Sequence, residues 1–265
     1  MGGTSGHNRD CAAAQHPTVR NFEASTLWRV SGFDRVRQTT GTSGFARLTG
    51  PAVLPTTLLA DLRRLDADPS SNDVLEIVAA CMRHRQSALL LLRHDDLVWP
   101  VTLFPAHMMY HAPSDITQAS LAGLSRLEVL ETEPAGVRPP GPWLLAPGVD
   151  AGQAGHYREL HPLLWSLAIH GPRDTLLSEI AGTAAYRAIR SPTEDGLPAS
   201  GAMGSAAERL RHETVSLKTV AGWPGMNTDR AARVINALYL ASALMVSRTH
   251  PAARNQPGSG WRLRR

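Results

Sequence analysis

The chain has little of what marks a disulfide-stapled, secreted or membrane-spanning protein. Cys11 and Cys81 are its only cysteines among 265 residues. Cys11 falls in a polar tail and Cys81 in an apolar helical run, so no disulfide framework is expected and a reducing, cytoplasmic compartment fits. No apolar run approaches the roughly 20 residues that cross a bilayer. The longest, Leu97–Tyr110, is broken by Pro100 and Pro105. The opening Met-Gly-Gly-Thr-Ser-Gly lacks the apolar stretch of a secretory signal. Aromatic residues make up 5% and charged residues 19%, both low for a globular chain, which implies stretches of poorly packing linker. Lysine is nearly missing: Lys218 alone, among 27 basic residues, is not arginine. This pattern fits a bacterial genome of high GC content, so the choice of arginine at a given position carries little functional information.

The signatures of common catalytic sites are missing too. The sequence contains no Gly-rich phosphate loop, no Gly-x-Gly-x-x-Gly, no Gly-x-Ser-x-Gly and no Cys-x-x-Cys. His107 and His111 stand four residues apart, a spacing that on a helix would offer two nitrogens to zinc. Pro105 and Pro113 argue against a helix there, and two nitrogens leave a ligand set incomplete, so neither metal nor cofactor is expected. Asp95-Asp96 reads as a turn between two apolar strands. Glu131 and Glu133 alternate with apolar neighbours, on what reads as the solvent face of a strand.

What is present divides the chain by pattern. Residues 1–48 are polar and aperiodic and read as a disordered tail, with Phe22–Val36 as a candidate short ordered piece. Residues 54–133 form an α+β block. Leu58, Leu59, Leu62 and Leu65 recur at helical spacing, and Asp73 is placed to cap a second helix reaching His84. Ala88–Arg93, Val98–Phe104, His107–His111 and Leu127–Glu131 follow as strands. Residues 134–159, with five prolines, read as a linker. Residues 160–265 read as mainly helical, with helices over Pro162–His170 and within Asp174–Ala188, and a loop over 191–205. The expected fold class is thus α+β. A small domain of helices and antiparallel sheet precedes a mainly helical domain.

The sharpest pattern is terminal. Ser216 caps a short helix to Trp223, Pro224-Gly225-Met226-Asn227 turns the chain, and Thr228 is placed to cap a second helix. That helix carries an apolar stripe of Ala231, Val234, Ile235, Leu238 and Ala241. Leu244–Arg248 and Trp261–Arg264 then read as two strands around a Pro/Gly-rich loop. This layout resembles the winged helix of bacterial regulators. The resemblance implies Thr228, Arg230 and Arg233 near base edges, and Arg254 and Arg262 near the phosphate backbone. Ala232 and Ala237 on the outward face make it a poor reader of bases, and Trp223 and Met226 in the turn suit a protein contact. Residues 205–265 carry ten cationic side chains against three carboxylates, a net charge of +7. A second stretch, Asp73–Pro134, is similar to the PatA N-terminal-like (PATAN) domain, in the runs "DVLEIVAACMRHRQSALLLL", "VWPVTLFPAHMMYHA" and "RLEVLETEP". That resemblance implies a signalling adaptor without catalysis. The expectation is a non-catalytic bacterial regulatory or adaptor protein acting on a protein partner. The alternatives are a DNA-binding regulator using the winged helix, with weak nucleic-acid contact through the basic end, and an enzyme or metal-binding protein with an unrecognised site.

Overall fold

A computed structural model describes residues 27–40, 53–66, 73–118, 121–146, 148, 151–194 and 196–254. The fold is α+β, and among the described residues the strand pairs are all antiparallel. In chain order, β1 (Trp28–Arg29), α1 (Val30–Thr40), α2 (Thr56–Asp66), α3 (Val74–His84), β2 (Ala88–His94), β3 (Leu97–Phe104), β4 (Met109–His111), α4 (Leu121–Leu124), β5 (Glu128–Pro134), α5 (Ala151–Ala154) and β6 (Tyr157–Glu159) come first. Then follow α6 (Leu160–His170), β7 (Ala185–Ala188), α7 (Gly201–His212), β8 (Val215–Ser216), α8 (Leu217–Ala221), α9 (Thr228–Leu240), β9 (Leu244–Ser247) and α10 (Pro251–Arg254).

The larger sheet has the order β5-β2-β3-β4-β6, and β1 pairs with the start of β3. Asp73 caps α3, its carboxylate accepting from Leu75 N at 2.9 Å and Glu76 N at 3.3 Å. The chain leaves α3 through Arg85 in the left-handed region and enters β2. Pro100 lies mid-strand in β3, opposite Leu91 of β2. On the other edge, β1 reaches only residues 97–98 and β4 only 102–104, so Pro100 sits between them. A missing N–H is tolerated at such an unpaired stretch.

One face of this sheet, with Leu90, Leu92, Val101 and Leu103, belongs to the main buried cluster. The other carries a smaller cluster of Phe33, Leu89, Leu91 and Val98, roofed by α1. The ordered piece expected near Phe22–Val36 is thus β1 and α1, inside the span expected to be disordered. The rest of 1–48 lies outside the described residues. Glu131 and Glu133 do share a face of β5, but it is this roofed one, not a solvent face. Glu133 is 8% exposed, and burial, then the Glu133 charge, raises the Glu131 carboxyl above its ordinary range.

The stretch 134–159 is more than a linker. It holds α5 and β6, and β6 is the sheet's edge strand against β4. Nor do the two blocks keep separate cores. The main cluster runs from Leu58 and Val74 through Leu164 to Val234 and Ala243. Burying one shared apolar interior removes more surface from water than two small ones would.

The helix expected within Asp174–Ala188 does not form, because other groups take its backbone partners. Arg173, its side chain 11% exposed, pairs with Asp73 at 2.5 Å and Glu76 at 2.9 Å, and donates to the carbonyls of Thr175 and Leu176. Ser178 N donates to Glu76 at 2.7 Å, and Leu177 N to Asn236 of α9 at 3.0 Å. A short turn and β7 result. Conversely α7 begins inside the 191–205 stretch expected to be loop. It contains Gly204, where a Cβ would stand 2.7 Å from Ala199 O, so the packing requires the helix-weakening residue.

Candidate functional site

Two helices, α8 and α9, form on either side of a tight turn over the residues of the helix-turn-helix pattern. Ser216 Oγ accepts from Thr219 N at the start of α8. Gly225, at φ +73°, makes the left-handed bend that a side chain would resist. The cap of α9 is Asn227 rather than Thr228: its Oδ1 accepts from Arg230 N at 2.8 Å, and Thr228 is the first helical residue. Trp223 of the turn is 8% exposed and belongs to the core, with the Arg209 guanidinium 4.5 Å above its ring. Met226 is half-buried against the same core.

The helix that the winged-helix resemblance assigns to the major groove is packed inward. From Ala231 to Leu240 only Arg233 and Tyr239 are even partly exposed, because α6, α7 and α8 all lie against α9. Arg233 does not reach outward. Its Nη1 donates to Ile169 O at 3.1 Å and Gly171 O at 2.8 Å, the carbonyl end of α6, where a cation is favoured. Asn236, 0% exposed, holds the 172–181 segment from the same helix. Arg233 Nη1 is thus committed to the end of α6, and a shared core covers most of the α9 face expected to meet a groove.

Of the remaining candidates, Thr228 and Arg230 are exposed at the first turn of α9, with Arg230 donating to Gly225 O at 2.6 Å. Arg254 is exposed at the end of α10, which lies beside β8. Arg262, and the strand expected over Trp261–Arg264, lie outside the described residues. The strand paired with β9 is β7, which precedes the helix-turn-helix in sequence and sits between β8 and β9.

That small sheet has two unlike faces. Tyr186 and Ala188 turn into the main cluster. Arg187 and Ile189 alternate with them, and Met245 stands opposite Arg187. Ile189 is 54% exposed and Met245 53%, beside exposed Arg187 and Arg190. Sequence reading passed over both apolar residues, since nothing local to β7 or β9 marks which face the core will cover.

The two histidines of the 107–111 spacing do not share a face as metal ligands would. His107 is exposed on a turn, whereas His111 is 6% exposed on β4. Its ring lies edge-on to Tyr157 at 4.8 Å and 5.5 Å from His156. Burial first, then the charges of His156 and Arg158, lower its pKa from 6.5 to about 4, so the ring is held neutral. Among the described residues no group of three His, Cys, Asp or Glu is placed to hold a metal ion. Cys81 is buried, its thiol pushed up to about 12 by burial. Among the described residues no helix is long and apolar enough to cross a membrane.

Comparison with protein-family models, with functionally described proteins and with solved structures finds no match to this chain.

Proposed function

We propose that this is a non-catalytic regulatory or adaptor protein of the bacterial cytoplasm, in which the helix-turn-helix is a packing module and the outer face of its small sheet meets a protein partner. The observation that carries this reading is the inward packing of α9, with Arg233 spent on the carbonyl end of α6. A groove-reading helix needs a free face, and this one keeps only its first turn. The pair Ile189 and Met245, beside exposed Arg187, gives the partner its chemistry: an apolar strip flanked by an acidic side chain. The resemblance of Asp73–Pro134 to signalling adaptor domains points the same way. The basic C-terminal end supplies at most salt-sensitive, sequence-independent attraction to nucleic acid.

Site-specific photo-crosslinking of the full chain in its cell of origin tests this. A crosslinker at Met245 is expected to give one defined protein adduct, absent with the same group at exposed Arg63 and lost when Ile189→Asp is added. Titration of the full chain with random and genomic duplexes at two salt concentrations is the counter-test. A genomic duplex bound about a thousandfold more tightly than random DNA, as specific binders manage, overturns the adaptor reading in favour of a transcriptional regulator. So does a Met245 position that captures no protein.

A further inference from the structure

A second feature lies away from the helix-turn-helix, at the β6 edge of the large sheet. Met109, Tyr110, Asp115, Tyr157, Arg158 and Pro162 line most of an open pocket of about 390 Å³. Its charges are held in place before any ligand arrives. Asp115 Oδ1 accepts from Tyr110 OH at 2.9 Å, Thr117 N at 3.0 Å and Thr117 Oγ1 at 2.6 Å. Burial opposes the carboxylate's charge, but the bonds from Thr117 and Tyr110 and the nearby Arg158 prevail and lower its pKa, so it is ionised at neutral pH. These bonds all fall on one oxygen. Arg158 is fixed independently: its Nη1 donates to Ala112 O at 3.0 Å and His156 O at 3.2 Å, which leaves the rest of its fork uncommitted among the described residues. Exposed Glu159 also lines the cavity, yet among the described residues neither carboxylate forms an ion pair with Arg158. On an ordinary surface such a pair would close up, but here other bonds hold each member in its own place.

We infer that this pocket binds a small zwitterion of the free amino-acid class, its ammonium on Asp115 and its carboxylate on Arg158. The volume suits a ligand of that size. Met109 and Pro162 supply apolar lining beside the charges, and preformed charges avoid the ordering cost that weakens flexible sites. Pro162 places the pocket against the first turn of α6, and α6 packs on α9.

The test uses the full chain and the proteinogenic L-amino acids at millimolar concentration, first by thermal shift and then by calorimetry. At least one should raise the melting temperature, while its N-acetyl form, its primary amide and its decarboxylated amine should each fail. Asp115→Asn and Arg158→Gln should each weaken binding by about tenfold or more, the worth of a hydrogen bond to a charged group, while Arg63→Gln should not. Circular dichroism checks that each variant folds, and if Asp115→Asn does not, Arg158→Gln decides alone. No response to any amino acid, equal binding of the decarboxylated amine, or unchanged affinity in Arg158→Gln each overturns the inference. None of these outcomes bears on the crosslinking test at Met245.

Discussion

Asn236→Ala is the sharpest probe of how the chain is held together. Asn236 is 0% exposed on α9. Its Oδ1 accepts from Leu177 N at 3.0 Å and its Nδ2 donates to Thr175 O at 2.8 Å, so one side chain bonds two backbone groups of a segment that has no helix of its own. The two losses differ. Leu177 is 0% exposed, so its N–H has no access to water once orphaned, at about 1–3 kcal/mol. Thr175 is exposed and its carbonyl keeps the bond from Arg173 Nε at 3.0 Å, so only about 0.5–1 kcal/mol of net bond is lost. The truncated amide leaves a small void as well. A total of about 2–4 kcal/mol follows, a large share of the 5–15 kcal/mol typical of a folded protein. Urea unfolding followed by far-ultraviolet circular dichroism measures it, with the slope expected to stay constant. Asn236→Asp keeps the acceptor for Leu177 but faces Thr175 O with a second acceptor and buries a charge, so it should be the worse variant. A loss below about 1 kcal/mol for Asn236→Ala would mean that water or a rearranged segment replaces both bonds, and would refute the account of the missing helix.

Two further outcomes follow from the same structure. His111 stays neutral when folded, with a pKa lowered from 6.5 to about 4, whereas the unfolded chain takes up that proton near 6.5. Its contribution is thus fully present above pH 6.5 and is lost as pH falls toward 4. The lost stability is about 3 kcal/mol, and chemical denaturation across this window should show a flatter profile in His111→Gln, while parallel profiles would refute the assignment. Gly201 and Gly225 both have positive φ, but a Cβ at Gly201 meets nothing within 4 Å while one at Gly225 stands 2.8 Å from Ala202 Cβ. Gly201→Ala should therefore cost about 1 kcal/mol, the backbone term alone. Gly225→Ala should cost measurably more in the same denaturation assay, and equal losses would show that the turn does not press on α7.

What the sequence determined is what neighbouring residues settle among themselves. Asp73 and Ser216 cap their helices, the Leu58–Leu65 spacing makes α2, Asp95-Asp96 turns between β2 and β3, and Gly225 bends the helix-turn-helix. Each needs only a few adjacent side chains and the backbone's own geometry. Local pattern is blind to competition from afar. Leu176, Leu177, Ile180 and Ala184 carry a helical period, yet Arg173 and Asn236 capture the backbone groups a helix would use. Gly204 argues against a helix in isolation, yet Ala199 O leaves room for nothing larger. The same limit hid the sites. A lone Asn on an apolar stripe was a signal that α9 would be buried, and it went unread beside the stronger helix-turn-helix pattern. Arg233 looked outward until α6 arrived to receive it. Asp115 and Arg158 stand 43 positions apart in the chain, and only the pairing of β6 with β4 brings them to one pocket. The periodicity of an amphipathic segment fixes that it has an apolar side; which neighbour covers that side, and which charges are left facing each other, is settled only when distant segments pack together.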